Sequence, residues 1–310
     1  MCALSVMEIV TCVMSNAYGN TTKLFSTPYL TLAEYKAAPT AIDYNNLVVD
    51  SSDPAAQDAE LANSIARASS WVDSYCGQVL AATSETEQQR IRFSRDGYLK
   101  LHPFYNPVVA VTALSYGTQP NNLVAYADCS QSWVENQSVI VPFTSATQYS
   151  SAGPLSLGLP AMLGNEMFVK YTYVSGFANT TLAATSTAGA TTVTVADGTG
   201  IVAGSRLTIF DGLSTETFVV GSGYTFGSVT VPVSGTLVFA HTSGAAVSAL
   251  PPAVKEATIL ATTAFLKVRG DYSMTMGVTS SVGQATANTG GLDHDLALAK
   301  ELLIPFRRVR

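Results

Sequence analysis

The sequence has little charge and few residues that commonly carry chemistry. Charged residues make up 12% of its 310 residues, about half of the usual ~25%. It has only 3 histidines and 4 cysteines. The cysteines show no C-x-x-C pair and no histidine at metal-ligand spacing, so neither a disulfide scaffold nor a zinc site is indicated. We expect ordinary thiols in a reducing compartment at Cys2, Cys12, Cys76 and Cys129.

Long apolar runs are also missing. No stretch reaches the ~20 apolar residues that a membrane helix needs, so we expect no membrane contact. The apolar start, Met1 to Met14, contains Glu8 and lacks the basic segment and small-residue cleavage site of a signal peptide. We interpret residues 1–29 as an extended N-terminal arm.

The charge balance and the motif content disfavour two large function classes. With 16 Lys and Arg against 22 Asp and Glu, the net charge is -6, and no basic stripe of a sequence-specific DNA binder is evident. The hydrolase, P-loop and zinc-protease motifs are absent. Capping at the start of a helix explains the run Asp293-His294-Asp295. We therefore expect no enzyme activity, no cofactor and no metal.

Helical periodicity and capping signals predict four helices. Thr31 and Glu34 form a capping-box pattern that opens a short helix. Asp53 and Pro54 open a second helix, which Gly77 ends. The predicted helices cover residues 31–38, 54–76, 252–269 and 293–304, the last with Asp293 as its N-cap. Ser273 to Gly291 has no period and predicts a loop.

Alternating patterns predict strands in the two regions between these helices. The first group is Arg90–Phe93, Tyr98–His102, Val108–Tyr116, Ser138–Val141 and Met167–Val174. A long loop is predicted before the last of these strands, over Ser150 to Gly164. The second group lies in a Thr-, Val- and Gly-rich stretch with few charges: Thr191–Val195, Arg206–Phe210, Thr217–Val220, Ser228–Val231 and Leu237–Ala240. Their spacing of roughly ten residues is typical of a small barrel or sandwich. We predict an α+β protein: a helical bundle with a small antiparallel sheet, plus an inserted all-β barrel or sandwich.

Acidic residues are concentrated early in the chain, and basic residues at its end. Residues 31–89 hold nine acids and two bases, whereas three of the last four residues are Arg. One interpretation is a solvated acidic face with a frayed tail. The other is partner docking, since Arg is enriched in interfaces and pairs well with carboxylates. An acidic or neutral surface repels phosphate, which suits a conduit for DNA better than a protein that holds it.

Four segments follow one another in a characteristic order. These segments are Leu30–Lys36, Ala66–Gly77 ("ARASSWVDSYCG"), Val169–Phe177 ("VKYTYVSGF") joined to Pro251–Phe265 ("PPAVKEATILATTAF"), and Leu302–Arg308 ("LLIPFRR"). Their order resembles that in the head-to-tail connector (adaptor, or head-completion) proteins of long-tailed bacteriophages. The resemblance covers residues 30–176 and 251–310. It does not cover residues 179–250, whose Thr/Val/Gly-rich pattern resembles the β modules of many phage structural proteins.

The resemblance implies a structural virion protein without catalysis. It implies a homo-oligomeric ring, expected to be a dodecamer, that docks on the portal protein and leads to stopper or tail-terminator proteins. Double-stranded DNA would pass through the lumen without sequence-specific binding. The protein would lie in the neck of the virion, between capsid and tail, after assembly in the host cytoplasm.

These expectations assign domains and sites. A connector core is predicted over residues 30–176 and 251–310, and an inserted β domain over 177–250. Family resemblance and charge point to Phe306, Arg307, Arg308 and Arg310 as the portal contact. The subunit interface or lumen face is predicted at Asp58, Glu60 and Asp73.

Two other functions stay open. The chain could be another tail or decoration protein of a phage, with the β insert as its working part. It could also be a carbohydrate-binding protein of a cell surface, which its 14 tyrosines would serve. The latter would need an export signal or a carboxylate pair in a cleft, and neither is evident.

Overall fold

The structure is a computed structural model. It describes residues 28–40, 42–45, 47–48, 51, 53–92, 98–126, 129–142, 166–270 and 285–308. Residues 1–27 of the N-terminal arm, Arg310 and the loop predicted over Ser150 to Gly164 lie outside the described residues. No helix in the described ranges is both long and apolar enough to cross a membrane.

Helices and antiparallel sheets together make the chain α+β, as predicted. The helices are α1 (Leu32–Ala37), α2 (Pro54–Cys76), α3 (Pro252–Gly270) and α4 (Ala285–Leu303). The first strands are β1 (Thr83–Arg92), β2 (Tyr98–Leu101), β3 (Val108–Gln119), β4 (Asn122–Ala125), β5 (Trp133–Glu135), β6 (Ser138–Pro142) and β7 (Glu166–Ser175). The later strands are β8 (Asn179–Thr181), β9 (Thr192–Thr194), β10 (Arg206–Phe210), β11 (Glu216–Val219), β12 (Thr230–Pro232) and β13 (Ala246–Ser248).

The chain divides into two compact units. The first contains Ser84–Phe104 and Val111–Tyr173. The second contains the described parts of Lys23–Thr83, Tyr105–Ala110 and Val174–Arg310. The domain bounds given above stay a prediction.

The capping signals located two helices correctly. Thr31 accepts a hydrogen bond from the backbone N–H of Glu34, and the Glu34 carboxylate accepts one from the backbone N–H of Thr31, which completes the capping box of α1. Asp53 caps α2, and Gly77 ends it in the left-handed conformation, with φ +68°. Both helices were therefore predicted from local chemistry alone.

The start of α4 was predicted wrongly. The helix begins at Ala285, so Asp293 lies inside it and is not its N-cap, and residues 285–291 are helical instead of part of a loop. Gly290 and Gly291 have poor helix propensity, which made this stretch read as a loop. The helix packs along α3, and tertiary packing of this kind overrides weak propensity.

Two sheets build the first unit, in the orders β1-β7-β3-β4 and β2-β6-β5. A buried carboxylate lies in this unit: Glu87 accepts hydrogen bonds from the hydroxyl of Tyr171 (3.0 Å), from the hydroxyl of Tyr173 and from the backbone N–H of Phe104 (2.9 Å). Burial, and then the nearby Glu87 charge, raise the pKa of Tyr171 above its ordinary value. Tyr171 therefore stays a neutral donor to this carboxylate.

Helices and the later strands build the second unit. Two helical clusters, around Leu61 and around Val72, hold α1 to α4 together. Residues 178–247 share a separate apolar core, formed by a four-stranded sheet (β11-β10-β13-β8) and a two-stranded sheet (β12-β9). No closed barrel forms among the described strands.

The stretch Leu237–Ala240 is a loop, although its alternation predicted a strand. The backbone N–H groups of Val238 and Phe239 donate to the Glu216 carboxylate at 2.8 and 3.0 Å. Because these two N–H groups bind a side chain, they are not used to pair with a neighbouring strand. Strand β13, at Ala246–Ser248, pairs with β10 instead.

Gly176 lies at a position where the neighbouring backbone leaves no room for a side chain. It has φ +104°, and a Cβ there would lie 2.6 Å from the carbonyl oxygen of Ala81 and 2.7 Å from that of Leu80. Its neighbour Phe177 donates its backbone N–H to Leu80, and Ala82 donates back to Phe177. The end of β7 is therefore pressed against the chain that follows α2.

We predict that Gly176→Ala lowers the free energy of unfolding by at least about 3 kcal/mol, because backbone strain and overpacking add. Gly189→Ala is the matched control, since Gly189 also has positive φ, +82°, but open space at its Cβ position. The control should lose only about 1–2 kcal/mol. Urea unfolding followed by circular dichroism measures both, and equal losses would contradict the close-approach argument.

Candidate docking surface

The segment after α4 lies against the end of α2. Residues Ile304–Phe306 form a 3-10 turn, and the backbone N–H of Arg308 then donates to the carbonyl of Cys76 at 2.9 Å. The side-chain amide of Gln78 donates to the carbonyl of Phe306 at 3.1 Å. The last described residues are thus held by hydrogen bonds to the backbone and side chains that end α2.

The side chains of this segment pack against aromatic rings. The Phe306 ring meets the Phe177 ring edge to face at 6.5 Å. The Arg307 guanidinium lies 5.0 Å from the centre of the Tyr75 ring, and the Arg308 guanidinium 5.9 Å from that of Tyr105. We call these residues the arginine corner: Tyr75, Tyr105, Phe177, Phe306, Arg307 and Arg308.

Three of the segments that carry the family resemblance meet at this corner. The end of Ala66–Gly77 supplies Tyr75 and Cys76, the end of Val169–Phe177 supplies Phe177, and Leu302–Arg308 supplies the remaining side chains. These segments are far apart in sequence, and no single one of them indicates a site. Sequence reasoning missed Tyr105 and Phe177 as contacts of the tail, because only the fold brings them there.

Burial dominates the pKa shifts of the groups that lie beneath the arginine corner, Cys76 and Tyr29. Burial, and then the nearby Asp73 charge, raise the pKa of the Cys76 thiol to about 12, although the Arg307 charge opposes this shift. Burial and Asp73 also raise the pKa of Tyr29, whose hydroxyl donates to Asp73 and accepts the backbone N–H of Leu80 at 2.8 Å. The thiol is therefore an inert neutral group, and the exposed charge of the corner is that of Arg307.

The acidic residues predicted for the interface or lumen each have a partner inside the chain. Asp58 pairs with Lys36, and Glu60 pairs with Arg67. Asp73 accepts the hydrogen bond from Tyr29. Successive residues turn by ~100° around a helix, so Asp58 and Glu60 point to different sides of α2. Their assignment to an interface or lumen stays a prediction.

A polar cluster in the later strands was not visible in the sequence. The imidazole of His241 is fully buried and lies 2.7 Å from the Glu216 carboxylate and 3.6 Å from that of Asp211. The backbone N–H of Thr242 also donates to Asp211, at 3.0 Å. These contacts join the loop at 211–215 to the loop at 237–242. Only the register of β10 against β11 and β13 brings these residues together.

Within the described ranges, no group of three or more histidine, cysteine, aspartate or glutamate side chains is placed to hold a metal ion. A groove in this unit has a volume of about 790 Å³ and lies between α1, the start of α3 and the loops at 210–215 and 242–245. Its floor includes the buried ion pair of Lys255 with Glu34. Burial lowers the pKa of Lys255, and the Glu34 charge opposes that shift.

Comparison with known proteins gives a structural likeness but no match to a named family. No protein-family model and no curated protein matches the sequence. Among solved structures, the chain is similar to one described as "Neck of empty GTA particle computed with C6 symmetry", where GTA denotes a gene transfer agent. The identity is 15%, the alignment covers 91% of this chain and 95% of that chain, and the TM-score is 0.33. A TM-score of this size does not show a shared fold.

The hydrogen bonds that the Glu216 carboxylate accepts, which we call the Glu216 clamp, predict how the stability of the fold depends on pH. Burial raises the pKa of Glu216, but the hydrogen bonds from Val238, Phe239 and His241 outweigh it, so the folded pKa lies below the ordinary 4.5. A carboxylate with a lowered pKa stabilises the fold above its unfolded pKa and loses that contribution as pH falls through the folded value. Stability should therefore fall below about pH 4.5.

We predict that Glu216→Gln costs roughly 2 kcal/mol at pH 7, the range for hydrogen bonds to a charged group, and much less at pH 3. Thermal unfolding at both values measures this difference. Glu256→Gln makes the same change at an exposed position on α3 and should cost little at either pH. A loss at Glu216 that does not depend on pH would contradict the clamp.

Proposed function

We propose that this chain is a structural neck protein of a tailed-phage-like particle, which forms a ring and joins the portal to the tail. The observation that carries this proposal is the arginine corner. Segments that resemble the connector family at separate places in the sequence come together in one contact: the end of α2 around Tyr75, the Gly176-Phe177 turn, and Phe306 with Arg307.

The corner has the chemistry of a docking surface. Arg307 is exposed and lies over the Tyr75 ring, so part of its side-chain entropy is lost before any partner arrives. A guanidinium held in this way can bind a carboxylate with two parallel hydrogen bonds. We therefore propose an acidic surface of the portal protein as the partner of Arg307 and Arg308.

Phe306 has a different role from the two arginines in this proposal. Its ring is half-buried against Phe177, and its carbonyl accepts a hydrogen bond from Gln78. Deleting the tail from Phe306 onward would remove these packing contacts together with the arginines. The truncation therefore tests folding and docking at once, and a charge reversal is the cleaner variant.

The remaining parts of the proposal follow the family resemblance. We propose a dodecameric ring with an axial channel, through which double-stranded DNA passes without sequence-specific binding, and stopper or tail-terminator proteins below it. The net charge of -6 agrees with a channel that does not hold phosphate. Virion neck localisation, assembly in the host cytoplasm and the absence of catalysis belong to the same proposal.

The test is electron microscopy of this protein mixed with the portal protein of the same genome. We expect a coaxial ring stacked on the portal with the wild-type chain. Arg307→Glu should weaken docking about tenfold or more, because like charges brought together at an interface cost several kcal/mol. Arg206→Glu, the same change at an exposed position on β10, should dock normally. Equal docking by both variants would refute the corner as the portal contact.

A second candidate is a tail or decoration component that works through residues 177–250. Three exposed apolar side chains favour it: Leu213, Val238 and Phe239 lie on the loops that the Glu216 and His241 contacts hold in place. Apolar side chains presented by ordered loops suit protein contacts. A bare portal, with the protein found at the capsid surface or mid-tail, would favour this candidate.

A further inference from the structure

The sheet β2-β6-β5 of the first unit has two dissimilar faces. On one face Leu99, Leu101, Val139 and Val141 are all buried. On the other face Tyr98, Lys100, Trp133 and Glu135 are exposed, and the rings of Tyr98 and Trp133 meet edge to face at 5.5 Å. The register fixes these faces, since Trp133 and Lys100 both lie opposite Ile140.

The β5 edge of this sheet leaves a core-facing side chain uncovered. Val134 lies opposite Val139, on the buried face, yet Val134 is 47% exposed whereas Val139 is 1% exposed. No described strand pairs with β5 on its outer side. A strand added there would cover Val134 and bind the backbone groups of β5 that face away from β6.

On the opposite edge of the sheet, the outer backbone groups of β2 have a hydrogen-bond partner among the described residues at one end of the strand only. The side chain of Gln89 binds both backbone groups of His102, accepting from its N–H at 3.2 Å and donating to its carbonyl. No described strand lies outside Tyr98–Lys100. The open part of this edge is therefore about as long as β5.

We propose that β5 of one copy pairs with β2 of the next copy, so that the sheet continues from subunit to subunit. Both strands run antiparallel to β6, so they run parallel to each other and the new pair would be parallel. This inference deepens the proposed function and rests on it, because it assigns the contact that closes the ring. A contact between two different surfaces of one chain is the kind that closes rings.

Charge complementarity identifies the occupant as a second copy. Glu135 is exposed at the β5 edge and Lys100 is exposed at the β2 edge, on the same face of the sheet. Among the described residues neither forms an ion pair. Pairing β5 with β2 brings the carboxylate of one copy near the ammonium of the next, and opposite charges on neighbouring strands stabilise a sheet.

A symmetric pair of two β5 strands fits less well. An antiparallel pair centred on Val134 would set each Glu135 opposite a Trp133 and would leave Lys100 without a partner across the contact. Such a symmetric contact would also join only two copies. The β5-to-β2 contact uses both free edges of the sheet, so it can add one subunit after another.

The first test is cross-linking of Lys100→Cys with Glu135→Cys, in a chain whose Cys2, Cys12 and Cys129 are serine. Within one chain these positions lie on either side of β6, about 10 Å apart at the usual strand spacing, too far for a disulfide. Oxidation should therefore give a ladder of covalent oligomers. Each single-cysteine variant is the control, and a dimer from Glu135→Cys alone would overturn the proposal in favour of the symmetric pair.

The second test exchanges the charges. Lys100→Glu and Glu135→Lys should each reduce assembly on the portal about tenfold, because each places like charges across the contact, and the double variant should recover it. Cross-linking is done with and without portal. A wild-type ring on the portal, with neither a ladder nor recovery, overturns this contact and leaves the proposed function standing. A bare portal counts against the proposed function, while a ladder in the free protein would still support the contact.

Discussion

The second unit depends on one close approach of two backbones. At Gly176 the chain leaving β7 lies so near the carbonyl groups of Leu80 and Ala81 that any Cβ would overlap them. Gly176 also donates its N–H to Pro107, and Phe177 donates to Leu80. These bonds fix Phe177 beside the end of α2. The ring of Phe306 then packs on Phe177, so the position of the arginine corner follows from a glycine that lies outside it.

One carboxylate connects local and tertiary structure in α1. Glu34 closes the capping box with one oxygen and pairs with Lys255 of α3 through the other. The pair is almost fully buried, and breaking such a pair leaves an uncompensated charge. The same residue that starts a six-residue helix therefore also attaches it to the bundle. A helix this short is not stable alone, so this attachment maintains it.

Features encoded within a few residues could be predicted, and features encoded by distant pairings could not. Thr31, Asp53 and Gly77 mark helix ends through their own hydrogen bonds or conformation, and the structure has those ends. The start of α4 depends on packing along α3, and no local signal marks it. Strand β5 has only three residues and is defined by its register against β6. The arginine corner joins segments more than 100 residues apart, so sequence could nominate its arginines but not their aromatic contacts.

The pairings also change how the acidic excess of residues 31–89 acts. Counting residues gives this stretch nine acids against two bases, which suggests a strongly repulsive face. In the fold, Asp58 pairs with Lys36 and Glu60 with Arg67. Glu34 is bound by Lys255, and Glu87 by tyrosine hydroxyls. Fields from such paired charges fall off quickly in salt. In the proposed channel, a low density of charge of either sign would therefore matter more than repulsion by α2.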